Sequence, residues 1–513
     1  MQQKLKLVLF VLLFILLWLP FLQQQTNFFA EPKLKGAFVK PTMPVFSFDS
    51  LNTLLFQKKF EDFENSDFGF RGFFVKMRNS FDNVMFNDLS VVDNISGKDG
   101  LIFSKGSIER TLGIQYNGKE QNESTIDKIK FLKEDIEKKG GHFLAIMAPS
   151  KEKTFQDCLP QEYIGKDNPK NNYMDFIEGY KNANIPYIDF CPFYSKMRDT
   201  CRYPVFTKTG FHWSVYGSSY VQDSLVSYVQ HSLGKPFPQY KRTGTEISDT
   251  AYDSDADFEY SLNLFYGIGE KKYHYPKFEL ISSTKKNYRP KVIVIGDSFF
   301  WQLKNHKMLA NVFSDESRFW FYFSLYAYPL NDDAGIALPK DESVIDELQS
   351  ADYVILFSNI GTLNLFPYEV ADFYCKNISK PGVVQSIYDY IRTSSVWKEK
   401  SLNDGNPDVN SKEQFFRAEA KQIYRNKKLV HIKGSADKFL CAGGSDEYYI
   451  TANRDNASSW ETFSLLDLGN DVVAFFSYKN KFLSADLGKE NELVNDRSKI
   501  SDWESFIMIK LGN

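Results

Sequence analysis

"KVIVIGDSFFW", Lys291 to Trp301, decides the fold. Four of the five residues before Gly296 are Val or Ile, the composition of a strand buried on both faces of a parallel sheet. Gly-Asp-Ser interrupts the strand, and Phe299, Phe300 and Trp301 then resume an apolar run as the next helix begins. In parallel α/β sheets, sites lie at such strand ends. Ser298 therefore has two readings: a nucleophile whose Oγ is presented by a strand-to-helix turn, or a polar cap on the helix that follows.

The same order recurs on both sides of this stretch. "HFLAIMAPS" (142–150) follows the charged helix "STIDKIKFLKEDIEKKGG", and "ESVIDELQSADYVILFSNIG" ends in a buried strand at Asn359. Between them lie "YKNANIPYIDF" and the helical "WSVYGSSYVQDSLVSYVQHSL". Strands alternating with helices predict an α/β fold, a parallel sheet flanked by helices, with Ser150, Ser298 and Asn359 at one rim. Upstream, "VVDNISGKDGLIF" has the turn chemistry of a β-hairpin, and residues 52–86 carry helical periodicity broken at "SDFGFRGF".

The first thirty residues place the chain. "MQQKLKLVLFVLLFILLWLPFLQQQ" puts Lys4 and Lys6 before an apolar run from Leu7 to Leu22. Sixteen helical residues rise about 24 Å, near the thickness of a hydrocarbon core. Basic residues ahead of the run keep that end cytoplasmic and export the remainder. The run is read as an anchor on the outer, periplasmic face of the inner membrane; a cleaved signal peptide is the alternative, and "FFA" at 28–30 is a poor cleavage site. A net charge of −3 offers no basic field for nucleic acid. The five cysteines fit no metal-ligand spacing and no metal is expected; Cys191 and Cys201, in "CPFYSKMRDTC", are candidates for a disulfide.

Beyond residue 380 the character changes. Residues 381–427 read as helical. From Lys428 a repeat of 43 residues emerges: "KFLCA" falls on "KFLSA", Arg454 on Arg497, "WETF" on "WESF" and the "LGN" of 468–470 on the terminal one. Each unit divides into about four short strands, a repeat-built β module.

Acyl transfer needs a nucleophile, a base within hydrogen-bond reach, and donors for the oxyanion. Of six histidines, His212 in "TKTGFHWSVYG" sits at a loop-to-helix junction and has the most suitable setting. Its other reading is a helix-start histidine packed among aromatics.

"VIGDSFF", "TKTGFHWSVYG", "FGFRGFFVKMRN", "SGKDGLIF" and "IMAPSKEKTFQDCLP" together resemble the AlgJ/AlgX-like alginate O-acetyltransferase family over roughly residues 40–380. The resemblance implies an SGNH-hydrolase-like domain (31–380) after the anchor (1–30), with Ser298 as nucleophile and His212 as base. It implies an acetyl-Ser298 intermediate that passes its group to an exported polysaccharide. The resemblance implies a membrane-bound, AlgI-like O-acyltransferase partner as the acyl donor; no coenzyme signal is visible and no cofactor is expected. Gly296 and Asn359 are the oxyanion candidates, and Lys151 and Trp213 are candidates for substrate binding. One position departs from the family. The aspartate expected two residues before the histidine is Gly210 here, and Asp297 is a poor substitute because adjacent side chains diverge. A distant acid, a Ser-His dyad, or lost chemistry would each account for it. The alternatives in function are a polysaccharide acetylesterase and a non-catalytic polysaccharide-binding or assembly protein. The tail (428–513) resembles two units of a fascin-like β-trefoil, for which carbohydrate binding is the expected role.

Overall fold

A computed structural model describes residues 2–36, 41–89, 91–252, 254–281, 288–338, 340, 342–378, 382–403, 409–433, 437–442, 450–455, 457, 461–477, 481–486, 492–502 and 504–508. A seven-stranded sheet forms its centre, in the order Ile336–Ala337, Tyr326–Pro329, Arg318–Phe321, Val292–Gly296, Tyr353–Asn359, His142–Ala148, Tyr187–Asp189. The five strands from Arg318–Phe321 to Tyr187–Asp189 run parallel, and at the other edge Tyr326–Pro329 pairs antiparallel with both of its neighbours. Phe357 stands opposite Gly296 and Asn359 opposite Ala148. The carboxyl ends of the three central strands are thus level, and one rim carries Ser150, Ser298 and Asn359.

Why the strand at Val292 is a run rather than an alternation follows from its two faces. Val292 and Val294 belong to one buried cluster, with Val221, Leu225, Phe300 and Leu303; Ile293 and Ile295 belong to another, with Ile129, Leu132 and Phe176. Helices cover both sides, so every residue of the strand is apolar. Each such aliphatic side chain contributes about 1.5–3 kcal/mol by leaving water.

The hairpin read at 91–103 forms between Asn94–Ser96 and Ile102–Ser104, antiparallel, with Lys98–Gly100 as its turn. A single helix, Gln2–Thr26, runs through Pro20, and Lys4–Thr26 is long and apolar enough to cross a membrane. Helices Leu55–Asp67 and Arg71–Phe86 follow, separated at the Phe68–Phe70 break that the sequence marks.

The disulfide expectation is corrected. Cys191 and Cys201 are both free, because they bracket the helix Cys191–Thr200. Ten helical residues separate their backbones by about 15 Å, well beyond the ~4.4–6.8 Å that a disulfide spans.

Helices Val383–Thr393, Ser395–Asn403 and Val409–Arg425 join the sheet to the C-terminal strands. Asp346 accepts the N–H groups of Val383 and Val384 at 2.9 Å each, capping the first helix, and Arg425 pairs with Asp352 at 3.1 Å. The repeat is visible as equal registers. Val430 opposes Phe463 as Val473 opposes Phe506, and Phe439 opposes Arg454 as Phe482 opposes Arg497. In both units the ladder slips just after that Phe. Ile387 and Ile391 of the linking helices share a core with Leu466, Ala474 and Phe482, so helices cover one side of the strands. Trp460 and Trp503 lie outside the described residues.

Candidate active site

Strand Val292–Gly296 delivers Ser298 to the rim, and from Lys291 to Phe300 every residue except Ser298 is buried. Asp297 beside it is fully buried and braces the turn. Its carboxylate accepts Phe299 N–H at 3.0 Å, Asn359 N–H at 2.5 Å and the Thr362 hydroxyl at 2.6 Å. Burial holds Asp297 above the usual carboxylate range, with the Thr362 hydroxyl pulling the other way. Asp297 therefore ties the serine turn to the next strand and is turned away from the serine.

His212 approaches from the loop before the helix Val215–Leu233. Its Nε2 lies 2.8 Å from Ser298 Oγ and its Nδ1 lies 2.8 Å from Asp257 Oδ2. A carboxylate only accepts, so Nδ1 carries the proton, which leaves the Nε2 lone pair facing the serine hydroxyl. The ring rests against Phe299, with centroids 4.8 Å apart. Trp213 Nε1 donates to Phe299 O at 3.0 Å and locks the histidine loop onto the serine turn.

Asp257, at the start of the helix Asp257–Leu262, is the acid that sequence reading missed. Its second oxygen accepts Phe211 N–H at 2.6 Å and Phe258 N–H at 2.9 Å, so the carboxylate cannot rotate freely. The two loops are zipped together: Thr207 Oγ1 donates to Asp255 O at 2.6 Å and Phe258 N–H to Thr209 O at 3.0 Å. This explains Gly210. A Cβ there would lie 2.4 Å from Thr207 Oγ1, 3.0 Å from Ser254 O and 3.1 Å from Asp255 O. The space where a side chain at 210 would begin is filled by the segment that brings Asp257. No local signal marks Asp257, since Asp249, Asp253, Asp255 and Glu259 surround it in sequence.

Four site expectations are corrected. Lys151 and Trp213 are 0% exposed and so cannot touch a polymer. Trp213 is committed to the core as described. Lys151 Nζ donates to Lys208 O at 2.6 Å and Gly210 O at 2.9 Å, holding the backbone that leads into His212. Asn359 is 1% exposed, its amide donating to Pro149 O at 2.8 Å while its Oδ1 accepts Gly361 N–H at 2.8 Å. It braces the rim instead of donating to an oxyanion. Gly296 is held in the ladder between Phe357 and Phe321, and its carbonyl accepts Tyr322 N–H at 2.8 Å. The group that does border Ser298 is the Tyr322 hydroxyl. Burial, with Asp297 nearby, pushes it up to about 12, while the hydroxyl and N–H of Ser298 act in the opposite direction. Tyr322 and Phe323 both have positive φ (51° and 47°), which costs about 1 kcal/mol or more at each non-glycine residue.

Burial lowers the Lys151 amine to about 7. Neutral, it has two N–H donors for its two carbonyls. In the unfolded chain the amine titrates near ~10.4, so between about 7 and 10.4 the unfolded state holds a proton that the folded state lacks. The stability of the protein relative to Lys151→Met therefore rises with pH across that window, by up to about 1.4 kcal/mol per pH unit, and is flat below it. Urea titrations of both proteins from pH 6 to 10 check this; a difference independent of pH would contradict it.

A family model described as "SGNH hydrolase-like domain, acetyltransferase AlgX" matches residues 95–300. No curated protein sequence matches the chain. Among solved structures, it is similar to the O-acetyltransferase domain of Pseudomonas putida AlgJ (15% identity, TM-score 0.36, 55% of this chain and 99% of that one). Similarity also extends to Pseudomonas aeruginosa AlgX (13%, 0.31, 72% and 78%) and Bacillus cereus PatB1 (12%, 0.30, 48% and 91%).

Proposed function

We propose, from the match of residues 95–300 to the family model of an SGNH hydrolase-like AlgX acetyltransferase domain, that the chain is an extracytoplasmic O-acetyltransferase carrying an acetyl group on Ser298 to hydroxyls of an exported polysaccharide. The observation that supports this most is the unbroken Asp257–His212–Ser298 relay, 2.8 Å at each link. Such a relay orients the imidazole and stabilises the imidazolium that forms as the serine is deprotonated.

In the first half-reaction His212 Nε2 takes the Ser298 proton as Oγ bonds to the acetyl carbonyl carbon. The carbonyl oxygen becomes an oxyanion, for which the Ser298 N–H and the neighbouring Tyr322 hydroxyl are the candidate donors. Collapse breaks the bond to the donor's leaving group, which departs with the proton from His212. In the second, His212 takes the proton of a sugar hydroxyl as that oxygen attacks the acetyl carbon, and Ser298 leaves reprotonated.

The span Lys4–Thr26, with its basic N-terminal flank, supports a site on the outer face of the membrane, where an AlgI-like membrane acyltransferase supplies the acetyl group. The equal registers of the two C-terminal units support a repeat-built module, and we carry its fascin-like trefoil and sugar-binding reading forward as part of this proposal.

An acetylesterase would use the same acyl-enzyme, with water in place of the sugar. Supplying the full chain with para-nitrophenyl acetate and short polysaccharide oligomers separates the two. Acetylated oligomers, increasing with oligomer concentration at the expense of free acetate, are the expected product; acetate alone, unaffected by oligomer, would assign the site to hydrolysis.

A further inference from the structure

The helix Arg71–Phe86 is amphipathic with its faces reversed. Phe73, Phe74, Met77, Phe81, Val84 and Met85 are 39–70% exposed. At 3.6 residues per turn they fall in one stripe roughly 120° wide. The polar side chains between them point the other way, into the protein. Lys76 Nζ donates to Leu264 O at 3.1 Å, Asn79 Nδ2 to Leu262 O at 2.7 Å, Ser80 Oγ accepts Phe265 N–H at 3.0 Å, and Asn83 Oδ1 accepts the Tyr266 hydroxyl at 2.7 Å. A surface helix of a water-soluble domain does the reverse, burying its apolar stripe. A contiguous exposed stripe of this kind marks an interaction surface.

What covers it is indicated by where the helix begins. Its N-terminal end is bonded to the segment that leaves the apolar helix Gln2–Thr26. Glu31 accepts Phe70 N–H at 2.6 Å and Gly72 N–H at 3.3 Å, while Gln23 bonds Phe29 N–H and O at 3.0 and 2.7 Å. Gly69 sits so close to the apolar helix that a Cβ would lie 2.0 Å from Pro20 O and 2.7 Å from Gln24 N. The stripe thus starts at the depth at which the spanning segment leaves the hydrocarbon core. Arg78, paired with Asp82 at 3.5 Å and with 83% of its side chain exposed, flanks the stripe.

We propose that Arg71–Phe86 lies in the outer interface of the phospholipid bilayer, apolar stripe toward the acyl chains, as a second membrane contact that fixes the orientation of the catalytic domain. Two contacts remove the swivel that one span would leave. Helices with a strong apolar face and a polar opposite face occupy this position at membrane surfaces. The inference rests on the reading of Lys4–Thr26 as a span.

The test is photo-crosslinking in the full chain, reconstituted in vesicles of phosphatidylethanolamine and phosphatidylglycerol. p-Benzoylphenylalanine replaces Phe14, Phe81 or Phe193 one at a time, and adducts are identified by mass spectrometry. Phe14 reports the span; Phe193, 39% exposed on another helix, is the control. Lipid adducts at Phe14 and Phe81 but not at Phe193 are expected. Adducts at Phe14 alone, or protein adducts at Phe81, would overturn the interfacial helix while leaving the span intact. Lipid at Phe193 equal to that at Phe81 would also overturn it, as unspecific contact. Absence of lipid at both Phe14 and Phe81 would remove the span and the inference together. Acetyl transfer is not read in any arm, so failure here is distinct from failure of the catalytic proposal.

Discussion

Asp257→Asn lowers kcat for acetyl-ester turnover by about ten-thousandfold, the size of the loss when the orienting acid of a triad is neutralised or removed. The asparagine keeps the volume and can still accept from Phe211 and Phe258 N–H, which now bond Oδ1 at 2.6 and 2.9 Å. What is lost is the carboxylate on Nδ1, and with it the tautomer that leaves Nε2 free to take the serine proton. KM and the unfolding midpoint should change little, since no core packing is altered. Restoring an acid at position 210 does not rescue this variant. Any side chain there starts 2.4 Å from Thr207 Oγ1 and 3.0 Å from the backbone oxygen of Ser254. Gly210→Asp alone should therefore lower both stability and activity, by forcing apart the loops that carry His212 and Asp257. Steady-state kinetics and thermal melts of Asp257→Asn, Gly210→Asp and the double variant check the account. Rescue by Gly210→Asp would show that the acid belongs at 210 after all.

Ser298→Ala and His212→Ala each reduce turnover to background, about ten-thousandfold or more, and the double variant is no worse than either alone. That equality is the signature of groups that act as one unit. Neither substitution disturbs the fold: Ser298 is only half-buried, and the imidazole is 15% exposed beside Phe299. If the two effects multiplied instead, the 2.8 Å contact between them would not be part of one proton transfer.

Much of this site was legible before any coordinates. A Val/Ile run ending in Gly-Asp-Ser identifies a buried parallel strand and its rim because local composition reflects burial on both faces. His212 was legible only through the resemblance of "TKTGFHWSVYG" to the family's histidine segment; its junction position alone fits a helix-start histidine packed among aromatics equally well. Asp257 was not, because it lies 45 residues from His212 in sequence and is selected among its acidic neighbours only by the Thr207, Thr209 and Phe211 contacts that zip two loops. Lys151 and Trp213 illustrate the converse error. Lys151 follows a strand end on the rim and Trp213 adjoins His212 in sequence, but whether such a side chain points into the cleft or under it depends on tertiary packing, and both point under. Asn359 sits where an oxyanion donor would be sought, yet Pro149 O and Gly361 N–H have already taken its side chain. The cysteine pair failed for a simpler reason, the helix that stands between the two thiols.

The most direct measurement is to mix the full chain with para-nitrophenyl acetate, quench in acid within one turnover, and locate acetyl groups by peptide mass spectrometry. The relay at the sheet rim predicts acetyl on the peptide containing Ser298, its loss in Ser298→Ala, and its slower formation in Asp257→Asn. Turnover without acetyl on Ser298, or with acetyl retained elsewhere in Ser298→Ala, would contradict the acyl-enzyme on which the proposed function rests.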